Sequence, residues 1–216
     1  MEQESASNIH PLASLLAGFA RLISGAQVRW LDCAPSPRQR IYFANHTSHL
    51  DAVVLWAALP GDVRALTRPV AAQDYWEKGR LRRFLSARVF HAVLINRNPQ
   101  GSDRSLRAAQ AVIDRMVESL GACYSLIVFP EGTRGSGEDM AAFKSGLYHL
   151  ALRRPDVELV PAYLENLNRI LPKGEALPVP LLSSVTFGPP MRLEPNEPKK
   201  IFLERAREAV RRLRPE

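Results

Sequence analysis

Apolar residues along this chain recur in two rhythms. From Pro11, the positions Leu12, Leu15, Leu16, Phe19, Leu22 and Ile23 return at helical spacing with small and polar residues between them, predicting an amphipathic helix of about four turns. Strands are predicted at Gln27 to Leu31, Ile41 to Ala44, Val63 to Thr67, Val89 to Ile95, Cys123 to Phe129, Val157 to Leu164 and Leu182 to Phe187, most of them short apolar runs bounded by turn residues. Helical patterns fill the gaps: Ala52 to Leu59, then Leu106 to Val117 with Ser102 or Asp103 as cap and Gly121 beyond its end. Another opens at Phe143-Lys144-Ser145-Gly146 and ends near Arg153-Arg154-Pro155, and a last one runs from about Glu197 to Arg214. The Pro-rich stretch from Leu171 to Pro180 reads as a surface excursion.

Alternating strand and helix predicts a single α/β domain: a mixed, largely parallel central sheet flanked by helices, plus the N-terminal amphipathic helix. The expected boundaries are 1–26 for that helix and 27–216 for the domain, with core motifs over 45–165. The first helix has two readings, docked on the domain's own core or lying in a membrane interface. The last helix, rich in Lys and Arg, either sits on lipid or closes the domain. Residues 79 to 88 mix cations with Leu81, Phe84 and Leu85, just after Tyr75 and Trp76. That composition suits anionic lipid headgroups, and equally a solvated charged face.

A chain of 216 residues can bury a sizeable core in one domain. Its formal charge of +7 favours an anionic partner: nucleic acid, a membrane surface or a phosphorylated substrate. No signature of a nucleic-acid recognition module accompanies that charge. Cys33 and Cys123 have no motif spacing and read as reduced core residues of a cytosolic protein. The N-terminus is acidic where a secretory signal would be basic, and no stretch of about 18 apolar residues occurs, so the chain is expected not to cross a membrane by itself.

The chemistry concentrates between Ile41 and Asp51, where an apolar run stops at Asn45-His46-Thr47-Ser48-His49-Leu50-Asp51. Positions five apart on a helix lie about 140° out of phase, so His46 and Asp51 cannot share a helical face. With His46 in the turn and Asp51 in the first helical turn, the imidazole can give its ring N–H to the carboxylate, leaving the other nitrogen to take a proton. Two other readings stay open: Ser48-x-x-Asp51 as a capping-box-like helix start, and a metal site of His46, His49 and Asp51. Farther on, Arg97 follows the run Val89 to Ile95, at the strand edge where open α/β sheets collect ligands. The strongest strand signal, Cys123 to Phe129, breaks into Pro130-Glu131-Gly132-Thr133-Arg134-Gly135, which suits an anion site and equally an ordinary polar turn.

Taken together, Asn45-His46-x4-Asp51 and Phe129-Pro130-Glu131-Gly132-Thr133-Arg134 resemble the first and third motifs of the glycerolipid acyltransferases, the family that includes bacterial 1-acylglycerol-3-phosphate acyltransferases. Ile95-Asn96-Arg97 resembles the second motif without its usual preceding Gly, Val160-Pro161-Ala162 more loosely the fourth, and Gly135 stands where the family often has Ser. The resemblance implies acyl transfer from acyl-CoA or acyl-carrier protein to a lysophospholipid hydroxyl, with His46 as base and Asp51 orienting it. No cofactor is implied. Asn45, Arg97, Glu131, Gly132, Thr133 and Arg134 would lie at the acceptor site, Glu131 on a glycerol hydroxyl or holding Arg134, with Lys144 a further candidate for the acceptor phosphate. Pro161 would shape the site. A catalytically idle lipid-surface binding protein is the remaining reading.

Overall fold

The computed structural model describes residues 11–96, 106–135, 139–167 and 183–215. The chain begins with α1 (Pro11–Ser24), β1 (Gln27–Trp30), β2 (Arg40–Ala44), α2 (Asp51–Ala58), α3 (Gly61–Ala65), β3 (Thr67–Ala72), α4 (Gln73–Trp76) and α5 (Arg80–Phe84). A π turn over Leu85–Val89 leads to β4 (Val93–Ile95), then α6 (Leu106–Leu120), β5 (Ser125–Val128), α7 (Gly146–Arg153), β6 (Glu158–Glu165), β7 (Ser184–Phe187) and α8 (Lys199–Arg211).

Among the described residues the strands form one sheet in the order β1-β7-β6-β2-β5-β3-β4. Every neighbouring pair is parallel except β6 and β7, so the sheet is mixed and largely parallel as expected. Its centre shows why the strand runs are apolar throughout. Ile41 and Phe43 enter one core with Leu126, Val128 and the buried faces of α6, α7 and α8, while Tyr42 and Ala44 enter the other with Ile127, Val160 and α2. Helices cover both faces, so the period-two alternation separates two apolar cores instead of core from water. Because β2 and β5 are parallel and adjacent, with Phe43 opposite Val128, the turns leaving them emerge side by side.

The first helix docks one face on the domain's own core and leaves the other outward. Its Ala13 and Ala17 are buried against the α2 core, whereas Leu15 and Phe19 are 72% and 58% exposed. The last helix closes the domain: Phe202, Ala206 and Val210 are buried, and Arg205 donates to Glu197 at 2.6 and 2.8 Å.

Three expectations are corrected. The strand expected at Val63 to Thr67 is helical through Ala65, with β3 starting at Thr67. Pro60 leads into the helix in an extended conformation, Asp62 complements the helix's positive end, and Thr67 Oγ1 donates to the Val63 carbonyl at 2.7 Å. The run Val89 to Ile95 is strand only from Val93. The π turn and His91, at φ 45°, bend the chain so that Phe90 fills the core edge-on to Trp56 at 5.0 Å. Its hydrophobicity serves burial, not extension. Cys123 is exposed in the turn after α6, while Cys33 is half-buried. Ser102, Asp103, Leu182 and the stretch from Leu171 to Pro180 lie outside the described residues.

Candidate active site

The turn between β2 and α2 is tied together by one carboxylate. Asp51 is wholly buried, and its Oδ2 accepts the Thr47 N–H at 2.6 Å, the Ser48 N–H at 2.9 Å and faces His46 Nδ1 at 2.9 Å. The capping-box reading is half right. Asp51 reaches back to the Ser48 N–H as such a box does, but Ser48 Oγ accepts from Leu50 N, leaving α2 without a side-chain cap. The contacts converging on one oxygen tie the turn together and fix which way the imidazole faces. The His46 ring stacks on Phe129 at 4.3 Å, with 24° between the planes. Held by Asp51 at Nδ1 and by a ring on its face, the imidazole keeps Nε2 for another group.

The turn after β5 is coupled to the first through Glu131, itself buried. Its Oε1 accepts the His46 N–H at 2.8 Å and its Oε2 the Ala141 N–H at 2.9 Å, while Gly135 N donates to the His46 carbonyl at 2.8 Å. Glu131, expected on a glycerol hydroxyl or on Arg134, is therefore a brace between backbones. Gly132 has φ 69°, and a Cβ there would lie 2.6 Å from Lys144 Nζ, so the Lys144 side chain lies directly against this glycine. Thr133, Arg134 and Lys144 are exposed beside the turn.

Asn45, expected at the acceptor site, is committed to the sheet. Its Nδ2 donates to the Leu164 carbonyl at 2.9 Å and its Oδ1 accepts the Leu164 N–H at 2.8 Å, fastening the end of β2 to β6. Pro161 lies in β6 opposite Phe43. Arg97 lies outside the described residues.

Two features had no signal of their own in the sequence. Phe129 is the aromatic floor beneath His46, within the motif run but read only as strand. His49 sits in the turn before α2 and stacks on Tyr75 at 4.3 Å. Burial, with the positive fields of Arg134, His46 and Arg82, holds its imidazole below the ordinary histidine range. Among the described residues no three His, Cys, Asp or Glu side chains gather where they could hold a metal ion, and His49 is turned onto Tyr75, away from the His46–Asp51 pair. A cavity of about 220 Å³ flanks the two turns, between Asn45, Glu131 and the arginines at the end of α8. His46 does not line it, and two of its arginines, Arg211 and Arg212, pair with Glu208.

Comparison with known proteins finds acyltransferases. The chain is 30% identical over 187 residues to a 1-acyl-sn-glycerol-3-phosphate acyltransferase of Limnanthes douglasii, covering 83% of this chain and 60% of that protein. It is also 30% identical over 132 residues to the protein of the same name from Salmonella typhimurium, covering 58% of this chain and 46% of that one. It thus spans about 60% or less of the length of these relatives. The fold is shared with the crystal structure of the 1-acyl-sn-glycerophosphate (LPA) acyltransferase PlsC from Thermotoga maritima, with a TM-score of 0.69 at 19% identity over 99% of this chain and 81% of that one. The model of the family described as Acyltransferase matches residues 26–165, from the start of β1 to the end of β6 and across both coupled turns. The chain belongs to the acyltransferase family.

Proposed function

We propose that this protein is a 1-acylglycerol-3-phosphate O-acyltransferase working by general-base catalysis. The observation that carries the reading is the His46–Asp51 pair, 2.9 Å apart inside a turn whose N–H groups converge on the same carboxylate. An alcohol is a poor nucleophile at neutral pH, and a positioned base removes that barrier. His46 Nε2 takes the proton of the acceptor hydroxyl, and the alkoxide oxygen bonds to the thioester carbonyl carbon. The C–S bond then breaks, and the departing thiolate takes up a proton, which His46 can return. Asp51 orients the ring and stabilises the imidazolium between these events. The donor is acyl-CoA or acyl-carrier protein.

Arg134 and Lys144, exposed beside the Gly132 turn, take the acceptor phosphate, and Glu131 and Asn45 hold the turns that present them. Residues 27–216 form the catalytic domain, and 1–26 carry the lipid-facing helix. No helix among the described residues is long and apolar enough to cross a membrane. The outward Leu15 and Phe19 of α1, with Leu81 and Phe84 of α5 exposed among arginines, suit the surface of an anionic membrane where a lysolipid resides.

The experiment is thiol release from acyl-CoA with lysophosphatidate on anionic vesicles, comparing wild type with His46→Ala. Acceptor-dependent release that disappears in the variant is expected. Substantial release by the variant removes His46 as base. Transfer to a different lysolipid, such as another lysophospholipid or a lyso-aminolipid, with none to lysophosphatidate, moves the acceptor assignment. No transfer to any lysolipid from either donor leaves a lipid-surface binding protein.

A further inference from the structure

Tyr75 belongs to no motif, yet two side chains near the site rest on its ring. The His49 imidazole stacks on it at 4.3 Å with 14° between the planes, and the Arg82 guanidinium carbon lies 4.3 Å from the same ring centre. The platform is anchored inward. Tyr75 meets Trp76 edge-on at 5.7 Å, Trp76 meets Phe90 at 5.6 Å, and Phe90 meets Trp56 of α2 at 5.0 Å. Gly79, at φ 92°, gives the chain the left-handed step from which α5 departs.

Arg82 pairs with no carboxylate among the described residues, and a guanidinium whose carbon lies over a ring still has N–H groups to give an anion. It also sits apart from the apolar side of its helix. Leu81 and Phe84 are one turn apart and 70% and 48% exposed, whereas Arg82 lies about 100° round from Leu81 and rests on Tyr75. Arg134 comes from the turn after β5, where its neighbour Gly135 donates to the His46 carbonyl at 2.8 Å, and Arg82 comes from α5, where it shares the Tyr75 ring with His49, three residues from the base. Cations brought together from separate elements repel one another unless an anion joins them.

We propose that Arg82 is a second anion-binding residue of the acceptor site, donating with Arg134 to the headgroup phosphate, and that Tyr75 is its positioning residue. The identity of the headgroup rests on the acyltransferase reading above, while the anion site itself does not. A guanidinium contact to a phosphate is a charge-assisted bond, so its loss raises the acceptor KM or dissociation midpoint roughly tenfold or more.

The test uses 1-hexanoylglycerol 3-phosphate below its micellar concentration, without vesicles, and has two readouts: acceptor KM in thiol release, and the NMR shift of the His49 imidazole on titration with the same compound. Arg82→Ala is expected to raise both roughly tenfold while kcat changes little, and Tyr75→Leu to follow it. Tyr75→Phe should match wild type, because the ring is kept. Arg88→Ala, which removes an exposed cation of the π turn that follows α5, should match wild type as well, and 1-hexanoylglycerol, lacking the phosphate, should be insensitive to Arg82→Ala. The proposal is overturned if Arg82→Ala leaves the titration midpoint unchanged, if Arg88→Ala raises it equally, if wild type shows no saturable shift, or if an effect emerges only on vesicles, which would make Arg82 a lipid contact. A wild-type protein that binds the compound through Arg82 but transfers no acyl group would sink the enzymatic reading and leave the anion site standing.

Discussion

The main-chain N–H of His46 donates to Oε1 of Glu131 at 2.8 Å, so the residue proposed as base is positioned by the side chain of a turn from a different strand. That single contact makes the two motifs one unit. It also separates residues whose loss should remove chemistry from those whose loss should disturb the scaffold.

Asp51→Asn keeps the size of the side chain and an acceptor oxygen but removes the charge that stabilises an imidazolium. We expect kcat for acyl transfer to fall roughly a thousandfold with little change in acceptor KM. A loss under threefold would show that Asp51 only builds the turn.

Glu131→Gln turns one of two buried acceptors into a donor facing a backbone N–H. Stability should drop by about 2 to 3 kcal/mol, and the melting temperature by roughly 5 to 10 °C, in a thermal unfolding scan. Activity should fall with it, because the His46 backbone moves. A variant as stable as wild type yet inactive would instead place Glu131 in contact with substrate.

Gly132→Ala adds a Cβ 2.6 Å from Lys144 Nζ at a backbone angle of φ 69°. Lys144 can swing away, so the remaining cost is the left-handed conformation, about 1 to 2 kcal/mol. The expected signature is a modest fall in melting temperature with a raised acceptor KM, since the displaced ammonium leaves the site. An unchanged KM would put Lys144 outside the acceptor's reach.

Glu197 is held below the usual carboxylate range chiefly by its hydrogen bonds from Arg205. A depressed carboxyl stabilises the fold above its unfolded pKa, and that contribution is lost as pH falls through the lower folded value. Glu197→Gln should therefore melt below wild type at pH 7, with the gap closing below about pH 4. A gap independent of pH would show that the ion pair contributes nothing.

Thiol labelling should distinguish the two cysteines. Cys123 is exposed, whereas burial raises the Cys33 thiol above its ordinary pKa, and the thiolate is the reactive form. At pH 8 a fast phase is expected that disappears in Cys123→Ser. A fast phase surviving that change would mean that Cys33 opens readily to solvent.

The central strands and the His46–Asp51 pair were legible because their signals are local. Ile41 to Ala44 is continuously apolar, and four residues separate the imidazole from a carboxylate at a helix start. What escaped the sequence was long-range or depended on backbone conformation. Asn45 reads as polar and near the site, but its partner Leu164 lies on a strand that becomes adjacent only when the sheet forms. Glu131 reads as an acid in an anion-binding turn, and only the position of the His46 N–H shows that it braces. Phe90 looks like strand because buried aromatics serve strands and π turns alike, and His91 gives no warning of its positive φ.

The pairing of β1 with β7 joins residues near the two ends of the described chain, Gln27 beside Ser184 through Trp30 beside Phe187. A ribosome releases the N-terminal strand long before its partner, so during synthesis β1 waits without its sheet neighbour while the central strands can already assemble. Trp30 stacks on Phe187 at 4.0 Å only once that late strand arrives. Completion of this sheet edge therefore waits until β7 has been made, and a chain truncated before β7 would carry a sticky strand and an uncovered tryptophan into the cell.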